Sequence, residues 1–193
     1  MNVKIVRVMA RFGTPSPVIL LGIIGLSIMM TPTWSMSQPL SDLGSGGFGS
    51  VMYNSGLLMA GALAMLLAAG LFEYTKGDML GQLGSAAFLV YSILTCALGL
   101  VIIDWGVLYG YFTDVIFIMI PLSSALLSYS FYTNGSKNQA LIGVLPVVFG
   151  IATWVLGGPV DAQKELLALI PFGIWQIAVG LQMYGLEEPN EFD

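Results

Sequence analysis

Three aspartates near the ends of apolar segments are the residues that could support chemistry. Asp42, Asp104 and Asp114 offer carboxylate oxygens, which hard cations such as Ca²⁺ prefer as ligands. If the three carboxylates meet, they predict a metal site. A crowded pair of them could instead serve as a general acid and base. The third interpretation is that all three are solvated loop carboxylates.

The composition removes several other reaction classes. The sequence contains no histidine and one cysteine, Cys96. Ser-His-Asp and Cys-His nucleophile systems are therefore excluded, and so are zinc sites built from imidazoles. We expect no cofactor. We favour a non-catalytic protein, while carboxylate chemistry stays open.

The longest connection, about residues 32–49, and the segment after it carry polar residues that could hold a lipid head group. These residues are Ser41, Asp42, Gly44, Tyr53 and Asn54. Residues 44–49 satisfy G-x-G-x-x-G, but no strand precedes them and no βαβ unit can follow, so a dinucleotide site is rejected. A Gly-rich loop that enters a helix still offers backbone N–H groups to an anion such as a lipid phosphate. A plain flexible loop is the alternative.

Six long apolar segments must position these groups. The chain has 193 residues, of which 56% are hydrophobic and 9% charged, whereas about 25% of residues are charged in soluble domains. About 20 apolar residues cross a hydrocarbon layer about 30 Å thick. The segments cover about residues 12–31, 50–72, 79–101, 112–132, 139–157 and 164–185. We predict an all-α, polytopic membrane protein in which residues 1–193 form one bundle of six transmembrane helices.

The basic residues predict the orientation in the membrane. Lys and Arg near span ends collect on the cytoplasmic side. With the amino terminus inside, Lys4, Arg7, Arg11, Lys76 and Lys137 lie in the cytoplasm and Lys164 lies outside. An even number of spans then places both termini in the cytoplasm. The first segment also has the pattern of a signal peptide, but we expect it to be retained as a span in the cell membrane.

Small residues predict how the spans associate. Lipid chains are as apolar as leucine, so spans attract one another through close packing at small side chains. Span two carries such residues at four-residue steps, and spans five and six each carry a pair seven residues apart. The set is Gly56, Ala60, Ala64, Ala68, Gly143, Gly150, Gly173 and Gly180. We expect helix packing from all of them, with dimerisation through span two as the alternative.

Two short motifs carry a resemblance to a known family. They are Leu40-Ser41-Asp42-Leu43-Gly44 and Tyr53-Asn54-Ser55-Gly56-Leu57, with Gly61 after them. In these motifs the chain resembles the prokaryotic six-span membrane proteins catalogued as domain of unknown function 998. That family is similar to the group containing the damage-regulated autophagy modulators (DRAM) and Sfk proteins. The resemblance implies the same six-helix architecture over nearly the whole chain and brings no established reaction.

Charge and hydropathy narrow the function further. The net charge is −5, and nucleic-acid binding needs clustered Lys and Arg, so we expect no nucleic-acid partner. The deep parts of the spans hold no ionisable residue, which disfavours an ion-coupled carrier. We predict a non-catalytic accessory or assembly subunit that contacts membrane lipids and other membrane protein subunits. The alternative is a protein that binds or modifies a lipid head group through external Asp, Ser and Asn residues.

Overall fold

The computed structural model describes residues 1–100, 106–158 and 160–187. These ranges contain helices and no strand, and six helical units are long and apolar enough to cross a membrane. The prediction of an all-α polytopic membrane protein is therefore confirmed. The helices are α1 (Val3–Gly13), α2 (Ser16–Met30), α3 (Gly47–Tyr74), α4 (Met79–Leu98), α5 (Gly106–Thr133), α6 (Lys137–Val155) and α7 (Ala162–Tyr184), and a 3-10 helix covers Leu40–Gly44.

The first span differs from its prediction because it begins at Val3 and consists of two helices. In α1, Val6, Ala10 and Gly13 are buried and fall at steps of four and three residues, so they form one helical face. The basic residues of α1 lie away from this face, which allows a charged segment to continue the span. The junction lies at Thr14 and Pro15, where proline supplies no backbone N–H to the helix.

The helices form a ring in chain order. From α2 to α7, each helix packs against the next one in the sequence, while α1 packs against α3 and α7, and its contact with α7 closes the ring. The start of α1 and the end of α7 lie at one end of the bundle, which we call the termini end. There the backbone N–H of Asn2 donates to the Glu73 carboxylate (2.6 Å), and the Arg7 guanidinium lies 5.8 Å from the centroid of the Tyr184 ring. The opposite end carries residues 31–46 and is called the loop end.

Aromatic side chains of α4 and α7 fill the centre of the ring of helices. Phe88, Tyr91, Phe172 and Trp175 are at most 2% exposed, and their ring centroids are 4.9 to 6.1 Å apart in the contacting pairs. Two of these pairs, Phe88–Trp175 and Tyr91–Phe172, meet edge to face, an arrangement that aromatic quadrupoles favour. The aromatic contact between α4 and α7 fixes the position of α7, so the first turn of α7 lies at a defined place beneath the loop of residues 31–46.

The small residues singled out in the sequence lie at helix contacts. All eight are buried. On α3, the backbone carbonyl of Ala60 accepts a hydrogen bond from the Ser16 hydroxyl (2.8 Å), so this stripe faces the first span. A Cβ added at Gly150 would lie 3.0 Å from Pro121, and one at Gly173 would lie 3.1 Å from Pro17. These distances leave little room for larger side chains.

Candidate functional site

The buried carboxylate of Glu165 is the centre of the candidate site. Glu165 lies in the first turn of α7 and is 5% exposed. Asp161 caps this helix by accepting a hydrogen bond from the backbone N–H of Lys164 (3.0 Å). A helix N-terminus stabilises a nearby negative charge. The sequence thus places an acidic side chain at the one end of α7 where it is electrostatically favoured.

The first loop, residues 31–46, covers Glu165 and is called the cap. The backbone N–H of Leu40 donates to Oε2 of Glu165 (2.5 Å), and the backbone N–H of Ala162 donates to the carbonyl of Gln38 (2.9 Å). Leu40 and Leu43 are 2% and 1% exposed. The 3-10 helix therefore rests on the loop end of the bundle through both apolar burial and hydrogen bonds to α7.

A small inner cavity lies beneath this cap. Its volume is about 40 Å³, enough for about three water molecules. The polar groups that line it come from the cap and from α3, α4, α5 and α7: Ser41, Tyr53, Tyr91, Thr95, Tyr109, Thr113 and Glu165. Tyr53 and Tyr109 are each 6% exposed, and their hydroxyls lie close enough to interact. The cavity thus combines a carboxylate with two phenol groups.

A second, outer cavity of about 70 Å³ lies between α5, α6 and α7. Its lining residues are Thr113, Asp114, Phe117, Thr153, Trp154, Val160, Lys164 and Glu165. Asp114, Trp154 and Val160 are exposed, so they form the rim towards the surroundings. Thr113, Phe117 and Glu165 line both cavities and separate them. A group entering from the rim therefore reaches Glu165 before it reaches the tyrosines.

The second oxygen of Glu165 is available to a ligand. An ionised carboxylate accepts several hydrogen bonds through its two oxygens. In the described part of the chain, the Leu40 N–H is the hydrogen-bond donor to this side chain, and it contacts Oε2. Oε1 therefore retains its capacity to accept, and a cation or a hydroxyl in either cavity could bind it.

The structure places some of the residues predicted for a head-group site at the inner cavity and the others away from it. Ser41 and Tyr53 line the inner cavity. Gly44 packs above Asn54, where an added Cβ would lie 3.0 Å from the Asn54 amide oxygen. The Asp42 carboxylate accepts a hydrogen bond from Gln38 (3.5 Å) and lines neither cavity. The Gly-rich residues 46 and 47 also lie away from both cavities.

Two of the three aspartates predicted to bind a metal can be located, and the metal site stays a prediction. Asp42 belongs to the cap, whereas Asp114 lies on the rim of the outer cavity. Asp104 lies outside the described residues. Within the described ranges, no group of three His, Cys, Asp or Glu residues is arranged to hold a metal ion.

Sequence reasoning missed Glu165 and Tyr109 as site residues. Glu165 stands near a span end, where a carboxylate is usually solvated. A signal for its burial is nevertheless present, because Glu165 lies three residues from Ala162 and Ala168 and seven from Phe172, all on the buried face of α7. Its position in that apolar stripe indicates an inward side chain.

Comparison with known proteins agrees with the architecture. The sequence pattern of a family described as "Protein of unknown function (DUF998)" matches residues 16–184, a range that contains every residue of both cavities. No curated protein and no solved structure matches the chain. The further likeness to the DRAM and Sfk group stays a prediction. The chain is a multi-pass membrane protein and belongs to the DUF998 family.

Proposed function

We propose that this protein binds the polar head group of a membrane amphiphile at the loop end, without catalysing a reaction. The observation that carries the proposal is the buried Glu165 carboxylate, which lines two adjoining cavities and keeps one oxygen free of hydrogen bonds from the described residues. An ionisable residue buried in a membrane bundle is costly and usually serves a function.

The size of the cavities supports an amphiphile over a larger soluble ligand. The inner and outer cavities measure about 40 and 70 Å³, so each holds only about three to five water molecules. A small polar group fits there, whereas a nucleotide or a sugar does not. The apolar remainder of an amphiphile would lie outside the rim, beside Trp154 and Val160, where the outward surface is apolar.

The hydrogen bonds made by the threonine hydroxyls that line the cavities favour binding over catalysis. Thr95 donates to the Tyr91 carbonyl (2.8 Å), and Thr113 donates to the Tyr109 carbonyl (3.0 Å). These bonds to the preceding helical turn hold the two hydroxyls in place. The two threonine hydroxyls therefore serve as fixed parts of the cavity walls and not as nucleophiles activated by a neighbouring base.

Further proposals concern the whole chain. We propose that residues 1–193 form a single six-helix domain in the cell membrane with both termini in the cytoplasm, because five of the six basic residues then lie inside. The role of an accessory or assembly subunit with membrane protein partners stays a prediction. The exposed apolar surface of the bundle serves lipid and protein neighbours alike, so it favours neither.

Replacing Thr113 by Trp tests head-group binding, because an indole at this position fills the wall between the two cavities. Thr133→Trp is the matched control, since both threonines lie on α5 and donate to the carbonyl four residues earlier. We expect Thr113→Trp to retain about tenfold less phospholipid in native mass spectra of the purified protein. Thr133 lies at the termini end, so its variant should match the wild type. Equal retention by both variants, or no lipid on the wild type, would refute the proposal.

A further inference from the structure

We propose that the head group presented to Glu165 carries an ammonium group. This inference rests on the proposed function and names the chemical class that the site selects. The shared chemistry is a positively charged amine, whether it belongs to a phospholipid or to a small soluble compound. The inference departs from the lipid phosphate that the Gly-rich loop suggested, since that loop lines neither cavity.

The charges around the two cavities select a cation. Four carboxylates lie at the loop end among the described residues: Asp42, Asp114, Asp161 and Glu165. The basic residue that lines the outer cavity is Lys164, whose Nζ donates to the carbonyl of Gly157. Acidic groups therefore outnumber basic ones at this end, and an anionic head group would meet repulsion where a cation is attracted.

The unpaired oxygen of Glu165 gives the cation a defined position. Oε2 is held by the Leu40 N–H, and Oε1 has no donor among the described residues. A buried carboxylate is stabilised when an opposite charge pairs with it and donates hydrogen bonds. An ammonium group supplies both the charge and up to three donors. A neutral hydroxyl supplies one donor and no charge.

The aromatic walls favour the same ligand class. Tyr53 and Tyr109 line the inner cavity beside Glu165, and Phe117 lines both cavities. The negative face of an aromatic ring attracts a cation, most strongly where water is excluded. Carboxylate and aromatic rings thus surround a volume that accepts one small charged group.

Two phospholipids with the same acyl chains test the head-group class. Phosphatidylethanolamine carries an ammonium group, whereas phosphatidylglycerol carries hydroxyls in its place. We expect wild-type protein offered an equimolar mixture to retain phosphatidylethanolamine about tenfold more than phosphatidylglycerol in native mass spectra, the ratio expected from one charge-assisted hydrogen bond. Lipid retained without this preference would overturn the ammonium inference and leave head-group binding intact.

Glu165→Gln and Glu73→Gln form a matched pair of variants. Glu165→Gln keeps an oxygen for the Leu40 N–H but removes the charge, so the preference for phosphatidylethanolamine should disappear. Glu73 lies at the termini end, and its Gln variant should keep the wild-type ratio. A preference that survives Glu165→Gln would contradict the inference.

Soluble probes provide a test that requires no variant and that identifies the source of the amine. Ethanolamine and its uncharged N-acetyl derivative are added separately to the wild-type protein. Ethanolamine should raise the melting temperature more than the N-acetyl compound does. If this difference occurs while no lipid is retained, the ligand is a free amine and head-group binding is refuted. Equal shifts from both compounds, together with no lipid preference, would overturn the inference.

Discussion

At the scale of single residues, Asp78 shows how one carboxylate joins two helices. It caps α4, where Oδ1 accepts from the backbone N–H of Leu80 (3.0 Å). Oδ2 accepts from the Ser130 hydroxyl (2.5 Å) in the last turn of α5 and from the Asn134 amide (3.0 Å) directly after that helix. The Ser130 hydrogen bond is the main cause that lowers the pKa of Asp78 below its ordinary value of 3.8. The ionised form is thus preferred in the folded protein.

This shift predicts a pH-dependent stability. A carboxyl whose pKa is lowered by folding stabilises the folded state above its unfolded pKa, and this contribution is lost as the pH falls through the folded pKa. We expect Ser130→Ala to lower the melting temperature by about 3 °C at neutral pH. The difference from the wild type should shrink as the pH falls below about 4, the range of an unfolded aspartate, and through the lower pKa of folded Asp78.

Ser45→Ala is the control for this pH dependence. The Ser45 hydroxyl donates to a backbone carbonyl, that of Asp42 (2.6 Å), which does not titrate. Its effect on the melting temperature should stay constant over the same pH range. A Ser130→Ala effect that is equally constant would show that the Asp78 carboxylate is not the group responsible.

At the scale of helices, the approach of α3 to α4 depends on a missing side chain. A Cβ added at Gly61 would lie 2.7 Å from the Cα of Cys96 and still closer to its backbone nitrogen. Backbone atoms cannot rotate away as a flexible side chain can. Because lipid offers no hydrophobic driving force between helices, such close backbone contact is a main source of their association.

Gly61→Ala is therefore expected to destabilise the bundle, by about 1 to 3 kcal/mol for an overpacked contact. Gly22→Ala on α2 is the matched control, because a Cβ there would meet nothing within 4 Å. That variant should be neutral or slightly stabilising, since alanine favours helix more than glycine does. The free energy of unfolding in a mixed detergent measures both changes, and an equal effect of the two would contradict the close contact.

At the scale of the whole molecule, closure of the ring by α7 brings together parts that are distant in the sequence. The cap and Glu165 are 125 residues apart, yet they share a hydrogen bond. The same closure places the start of α1 and the end of α7 at one end of the bundle. The two ends of the molecule thus have different tasks in our proposal: the loop end binds, and the termini end faces the cytoplasm.

Cysteine labelling tests this orientation. In a Cys96→Ala background, we expect an impermeant maleimide applied to intact cells to label Ser37→Cys, an exposed position at the loop end. Asn138→Cys, exposed near the termini end, should react only after the cells are opened. The reverse pattern would place both termini outside and would move the candidate site to the cytoplasmic side.

The sequence by itself determined the helices of this protein, because hydropathy and length are local properties. The second to sixth spans begin and end within a few residues of their predicted limits, apart from the start of the fourth. α5 begins at Gly106 instead of residue 112, and α1 was missed because its charges obscured its apolar face. Even so, six spans and the family followed from the sequence.

Only the tertiary structure decided the site. Tyr53, Tyr109 and Glu165 come from α3, α5 and α7, and each looks ordinary in its own segment. Local pattern placed Asp42 at the centre of the candidate site, whereas in the structure its carboxylate accepts a hydrogen bond from Gln38 and lines neither cavity. Which side chains share a cavity depends on how the ring closes, and closure depends on packing between residues more than a hundred positions apart.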